Sequence, residues 1–150
     1  MRGALFNILG ELTTLRVLDA FAGTGALAFE AISRGAAHAV AIEPDRAAQL
    51  TITDNIASLG LQNEVSLVRA SAGAWLQTNL DHTFDIVLCD PPYNDLQRNL
   101  LERLSHAVAA GGLLVLSFPA DQPLPDFAGL AQIHQATHGD AQLAFYRKLP

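Results

Sequence analysis

The chain has 150 residues, half of them hydrophobic, and a formal net charge of −6 from nine Lys and Arg against fifteen Asp and Glu. That length suits one compact domain, residues 1–150, burying about 70% of its unfolded surface, and leaves no room for a separate substrate domain. The acidic balance excludes broad attraction to phosphate backbones, so a nucleic-acid role has to rest on a local patch or on a missing segment. No apolar run reaches the roughly 18 residues of a membrane span, and the amino terminus lacks a signal-peptide layout, so a soluble, cytoplasmic protein is expected. The single cysteine, Cys89, has no partner for an internal disulfide and reads as a small buried hydrophobe. No Cys/His cluster has zinc-ligand spacing, and no metal is expected.

In chain order, residues 1–9 predict a helix with Leu5, Ile8 and Leu9 facing inward. Residues 15–20 form a first strand, and residues 24–34 a helix carrying Leu27, Ala28, Ala31 and Ile32 and stopping at Gly35. Residues 38–43 are the second strand. Asp45 caps a helix that reaches Leu59 and stops at Gly60. A third strand over 65–69, a short helix over 72–79 and a fourth strand over 84–90 follow. Leu96, Leu100, Leu104 and Val108 recur every four residues, which predicts an amphipathic helix over 95–109 that Gly111 and Gly112 release into a fifth strand over 113–118. Residues 119–125 are a proline-rich surface connection. Residues 131–137 and 142–148 flank the turn-forming His138-Gly139-Asp140 and predict an antiparallel hairpin that closes the sheet. Apolar runs alternating with helical periods predict an α/β fold, doubly wound and mainly parallel, with helices on both faces.

Ligands of such sheets bind beyond the carboxyl ends of the strands, where strand order reverses. The first strand leads into Asp19-Ala20-Phe21-Ala22-Gly23-Thr24-Gly25. Gly23 and Gly25 allow a tight turn and close backbone approach, and the next helix offers free amide donors. Gly23-x-Gly25-x-x-Ala28 with Glu43 after the second strand fits a nicotinamide dinucleotide and S-adenosyl-L-methionine alike. Asp19 favours the second: an anion there repels a pyrophosphate but suits a cationic aminoacyl sulfonium.

The fourth strand ends in Asp90-Pro91-Pro92-Tyr93. An amine conjugated to a ring is a poor nucleophile, and hydrogen bonds from its N–H groups to Asp90 and to the Pro91 carbonyl would hold it and enrich its nitrogen. Pro92 keeps Pro91 extended, and Tyr93 would stack on the planar base. Direct attack on a methyl group needs no covalent enzyme intermediate, so catalysis would be mostly positioning.

Asp19-x-Phe21-x-Gly23-x-Gly25 together with Asp90-Pro91-Pro92-Tyr93 resembles the class I methyltransferases that act on amines, with a Rossmann-like sheet. Leu5-Phe6-Asn7, the loop from Leu18 through Leu27, Glu30-Ala31, Ser33-Arg34 and Ala144-Phe145-Tyr146-Arg147 make the chain similar to the RsmD type, which methylates the exocyclic N2 of a guanine in 16S ribosomal RNA. The resemblance implies S-adenosyl-L-methionine as cofactor, held by Asp19, Ala20, Phe21, Gly23, Gly25, Glu43, Pro44, Ser71, Ala72 and Asp90. It implies that Glu43 binds the ribose hydroxyls, that Ser71 and Ala72 border the adenine, and that Asp90, Pro91, Pro92 and Tyr93 hold the guanine. The partner would be 16S rRNA or the assembled small ribosomal subunit, met by a monomer. In the family a basic segment and a small β-hairpin precede the Leu-Phe-Asn helix and help hold RNA; most of that platform is expected to be absent from a chain starting at Met1.

The motif of acid, two prolines and an aromatic residue is also shared by methyltransferases of DNA adenine and protein glutamine. Those substrates, a cofactor-binding domain without independent activity, and a nicotinamide oxidoreductase stand as alternatives. Trp75 reads as core packing, and the five dispersed histidines as surface or turn residues. Arg2, Arg34, Arg98 and Arg103 form an RNA-facing set only if the fold gathers them, and Arg98 is expected to pair with Glu102 along its helix.

Overall fold

A computed structural model describes residues 2–150. In chain order the elements are α1 (Arg2–Leu9), β1 (Arg16–Asp19), α2 (Ala26–Ser33), β2 (His38–Ile42), α3 (Arg46–Leu59), β3 (Val65–Val68), α4 (Ala72–Thr78), β4 (Phe84–Cys89), α5 (Arg98–Ser105), β5 (Val108–Pro119), β6 (Leu130–His138) and β7 (Ala141–Lys148). The seven strands form one sheet in the order β3-β2-β1-β4-β5-β7-β6. Strands β1 to β5 run parallel, while β7 joins β5 and β6 joins β7 antiparallel. The chain winds outward from β1 through β2 to β3, then crosses back to β4, so strand order reverses between β1 and β4.

Each strand alternates its side chains between two cores. Leu18, Val40, Ile42, Val87, Cys89, Leu114 and Leu116 pack with Trp75, Leu101 and Leu104 from α4 and α5. Val17, Ala39, Ala41, Ile86, Leu88 and Val115 pack with Phe6, Ala28, Ala31 and Ile52 from α1, α2 and α3. Helices therefore cover both faces, and strands buried on both sides read as continuous apolar runs. Trp75 is core, its ring 6.0 Å from those of His82 and Phe84. Helix α3 follows its expected capping: Asp45 accepts from the Ala48 amide at 2.9 Å, and Gly60 closes the helix in the left-handed conformation.

Three expectations need correction. In α1 it is Leu5 and Phe6 that are buried, whereas Ile8 is 42% exposed, because helical rotation puts Ile8 on the outer side. Helix α5 is shorter than its apolar spacing suggests: Gln97 takes a left-handed conformation ahead of it, and Val108 already pairs with Phe84 in the sheet. Residues 109–112 then form a bulge between the pairs Phe84↔Val108 and Ile86↔Leu113, so Gly111 and Gly112 sit inside β5 instead of ending a helix. Arg98 does not pair with Glu102; its guanidinium lies over the Phe118 ring, 5.0 Å from the centroid, and donates to Gln122 at 3.4 Å. Among the described residues no helix is long and apolar enough to cross a membrane.

Candidate functional site

Beyond the carboxyl ends of β1, β2, β4 and β5 lies a cavity of about 860 Å³, within the range of small-molecule and cofactor sites. The loop after β1 forms one wall. Gly25 has φ +85°, and a Cβ there would stand 2.9 Å from Phe29 Cε2 and 3.1 Å from Ile52 Cγ1, so glycine lets α2 press against α3. Gly23, at φ +57°, faces open space and donates its amide to Glu43 Oε1 at 2.7 Å. Glu43 Oε2 accepts from the Asp45 amide at 2.8 Å. One carboxylate thus ties the glycine loop to the end of β2 and keeps lone pairs for a ligand's hydroxyls.

Of the expected cofactor residues, Ala20, Phe21 and Gly23 line the cavity from the first loop, Glu43 and Pro44 from the second, and Ser71 and Ala72 from the third. Asp90 and Pro92 line it from the fourth. Gly25 does not line it, and neither do Pro91 and Asp19. Gly25 is in the packed turn, and Asp19 lies beneath the loop at 0% exposure. Tyr93 also lies outside: half exposed, it lines two adjoining hollows, and its hydroxyl is 3.0 Å from Ser117 Oγ. Ser71 caps α4, accepting from the Ala74 amide at 3.1 Å.

The electrostatics of this end are unusual. Neither carboxylate oxygen of Asp19 has a hydrogen-bond partner. Burial raises its carboxyl from 3.8 to about 7, helped by the charges of Asp90 and Glu43; the amides of Ala28 and Phe21 oppose the rise without reaching hydrogen-bond geometry. Burial also raises Asp90, and the nearby Ser117 hydroxyl opposes the rise without reaching hydrogen-bond geometry. The Cys89 thiol is pushed up by burial and then by Asp19 and Asp90. It lines the cavity as a neutral S–H and is no nucleophile. Among the described residues none of the three carboxylates has an ion-pair partner, and no group of three or more His, Cys, Asp and Glu is placed to hold a metal ion.

Several lining residues carried no signal strong enough to single them out. Ser117 is a lone hydroxyl in the apolar run Leu113-Leu114-Val115-Leu116-Ser117-Phe118, and that interruption was the available clue. Gln97 lines the wall with φ +51°, which only coordinates reveal. The four arginines do not form one set: Arg2 and Arg103 line the cavity, and Arg103 donates to the Gly73 carbonyl at 3.1 Å. Arg34 pairs with Glu30 at 2.9 Å along α2.

A family model described as Conserved hypothetical protein 95 matches residues 1–147. The chain is 38% identical over 95 residues to a Buchnera aphidicola protein named ribosomal RNA small subunit methyltransferase D, covering 63% of this chain and 49% of that one. It is 39% identical over 116 residues to the Escherichia coli protein of the same name, covering 76% and 56%. The chain therefore spans about half the length of these curated relatives. A solved structure of a conserved hypothetical protein from Streptococcus pyogenes matches at a TM-score of 0.89 and 33% identity, over 99% of this chain and 95% of that one. The match runs through the glycine loop, the Asp90 motif and the closing hairpin, and the chain belongs to the conserved hypothetical protein 95 family, that of the RsmD-type proteins.

Proposed function

We propose that this chain transfers a methyl group from S-adenosylmethionine to the exocyclic N2 of a guanine in small-subunit ribosomal RNA. The observation that carries the reading is the gathering of Asp19, Glu43 and Asp90, none of them ion-paired among the described residues, at one cavity at the sheet's switch point that Arg2 and Arg103 also line. Burying Asp19 and Glu43 close to the Asp90 carboxylate is costly unless a ligand offsets it, and the ligand that fits carries positive charge, ribose hydroxyls and an apolar body. Asp19 meets the charge through its field from below. Glu43 has free lone pairs for the hydroxyls, and Ala20, Leu88, Cys89 and Val115 supply a dry floor.

When bound, the cofactor supplies an electrophilic methyl group on a cationic sulfur. Asp90 reaches the same cavity from β4 and can accept an N–H of the amine. The raised pKa of Asp90 suits it to take the proton that the nitrogen sheds. The Pro92 carbonyl is used by the Asp95 amide at 3.0 Å, while that of Pro91 accepts no hydrogen bond among the described residues and is left for the second N–H. Tyr93, which lines a hollow beside the mouth, would stack on an incoming base. The RNA substrate is supported by the names of the relatives and by the family's pattern of residues.

The test is incubation of the purified chain with labelled S-adenosylmethionine and small subunits lacking the modification. Label on a guanine N2 is expected, with Asp90→Ala lowering transfer by about 10²- to 10⁴-fold while cofactor binding persists. Full transfer by Asp90→Ala would overturn the catalytic assignment. Calorimetric binding of NAD(H) but not of S-adenosylmethionine would overturn the cofactor.

A further inference from the structure

Resting on the methyl-transfer reading, we infer that Ser117 is a positioning residue whose hydroxyl ties the Asp90 carboxylate to the Tyr93 phenol, fixing the amine acceptor and the stacking ring relative to each other. The last β4–β5 pair is Cys89↔Leu116, so the next residue of each strand, Asp90 and Ser117, emerges side by side. Both line the cavity. Ser117 is only 8% exposed, and its Oγ stands 3.0 Å from the Tyr93 hydroxyl, which approaches from the adjoining hollow bounded by Pro119 and Gln122. Ser117 thus forms the wall between the cavity and the place where a base would arrive.

A serine hydroxyl has one proton, which sets the direction of the chain of bonds. A carboxylate can only accept, so a Ser117 proton turned toward Asp90 leaves the Ser117 oxygen to accept from the Tyr93 O–H. The Ser117 hydroxyl beside Asp90 lowers its carboxyl against the rise caused by burial, while the hydrogen bond that Ser117 closes in this structure is the one to Tyr93. Polarisation along such a chain makes each bond stronger than it would be alone. The consequence is mechanical: a ring that leaves its place releases Ser117, and the carboxylate loses its guide. Asp90 and Tyr93 would be set jointly by a residue on a different strand.

The experiment compares Ser117→Ala, Ser117→Thr and Tyr93→Phe with the parent chain by ¹³C-carboxyl NMR titration, with the Asp90 signal assigned from Asp90→Asn. Ser117→Ala is expected to move the Asp90 titration upward, Ser117→Thr to restore it, and Tyr93→Phe to move it by less. In the transfer assay Ser117→Ala should lower kcat by about tenfold to a hundredfold with the cofactor Kd unchanged, and Ser117→Thr should recover it. An unchanged Asp90 titration in Ser117→Ala overturns the inference, as does a threonine variant that restores neither readout. If the parent chain transfers no label to RNA, the functional reading fails, and the carboxyl titration still decides the role of Ser117.

Discussion

Asp19 should couple cofactor binding to release of a proton. With its carboxyl at about 7 in the free chain, the ionised fraction is about 0.1 at pH 6 and about 0.75 at pH 7.5. A cationic ligand above it favours the ionised form, so affinity should rise about eightfold between those two values. Above pH 7.5 an α-amino group on the ligand starts to lose its own proton, which closes the useful window. Asp19→Asn keeps the shape and removes the titration, so its affinity should be flat over the same interval and weaker at pH 7.5 by on the order of tenfold. Calorimetry in two buffers of different ionisation enthalpy should show about half a proton released per ligand at pH 7. Asp90 and Glu43 both face this group, and removing the Asp90 charge with Asp90→Asn should move the window to lower pH. Parallel pH profiles for the parent chain and Asp19→Asn, or proton uptake on binding, would refute the reasoning.

The same substitution reports on stability, with the opposite benefit. Below pH 3.8 the carboxyl is protonated in both the folded and unfolded chain, and it costs nothing. From 3.8 to about 7 the unfolded chain ionises while the native one holds its proton, so stability falls as pH rises. Above that range the cost is complete, at most about 4 kcal/mol. Asp19→Asn should therefore raise resistance to denaturant at pH 8 and change little at pH 4, the pattern of a residue kept for a ligand at the expense of the fold.

Two further substitutions test the backbone. Gly25→Ala forces a Cβ to within 2.9 Å of Phe29 and an L residue into φ +85°; it should cost about 1–3 kcal/mol in urea unfolding and weaken cofactor binding, and an unchanged midpoint would mean the turn relaxes freely. Thr14 is an exposed β-branched residue at φ +69°, so Thr14→Asn, which tolerates that conformation, should stabilise the chain by about 1 kcal/mol and raise Tm by a few degrees, with cofactor affinity unaltered.

The strands, the glycine loop, the Asp45 cap and the closing hairpin were legible because each is set by local chemistry: apolar runs, positive-φ glycines, a short acidic side chain ahead of a helix. Val108 and Ile8 were misplaced for a common reason. Spacing shows that a residue is apolar, and only packing decides which surface takes it: Val108 went to the sheet, and Ile8 to solvent. The expected cofactor and base residues gather at one end, but their depth was hidden. Tyr93 stands beside the cavity and Asp19 beneath it, and Ser117, which bonds Tyr93 and is inferred to guide Asp90, comes from a strand that carries no motif.

Strand parity explains how the site divides its work. Asp19 pairs laterally with Ala41 of β2 and Leu88 of β4, all on the face covered by α1, α2 and α3. Glu43 and Asp90 each lie two residues further along those neighbours, so they share the face and stand one step nearer the open end. That single step separates a carboxylate at 0% exposure from two that line the cavity. On the proposed reading the deep acid would act through its field, which is strong because it is dry, while the outer two would act by contact. A slip of one residue in β1 would turn Asp19 toward the core of α4 and α5 and remove that field. The register of β1 between β2 and β4 is therefore as much a part of the site as the residues that line it.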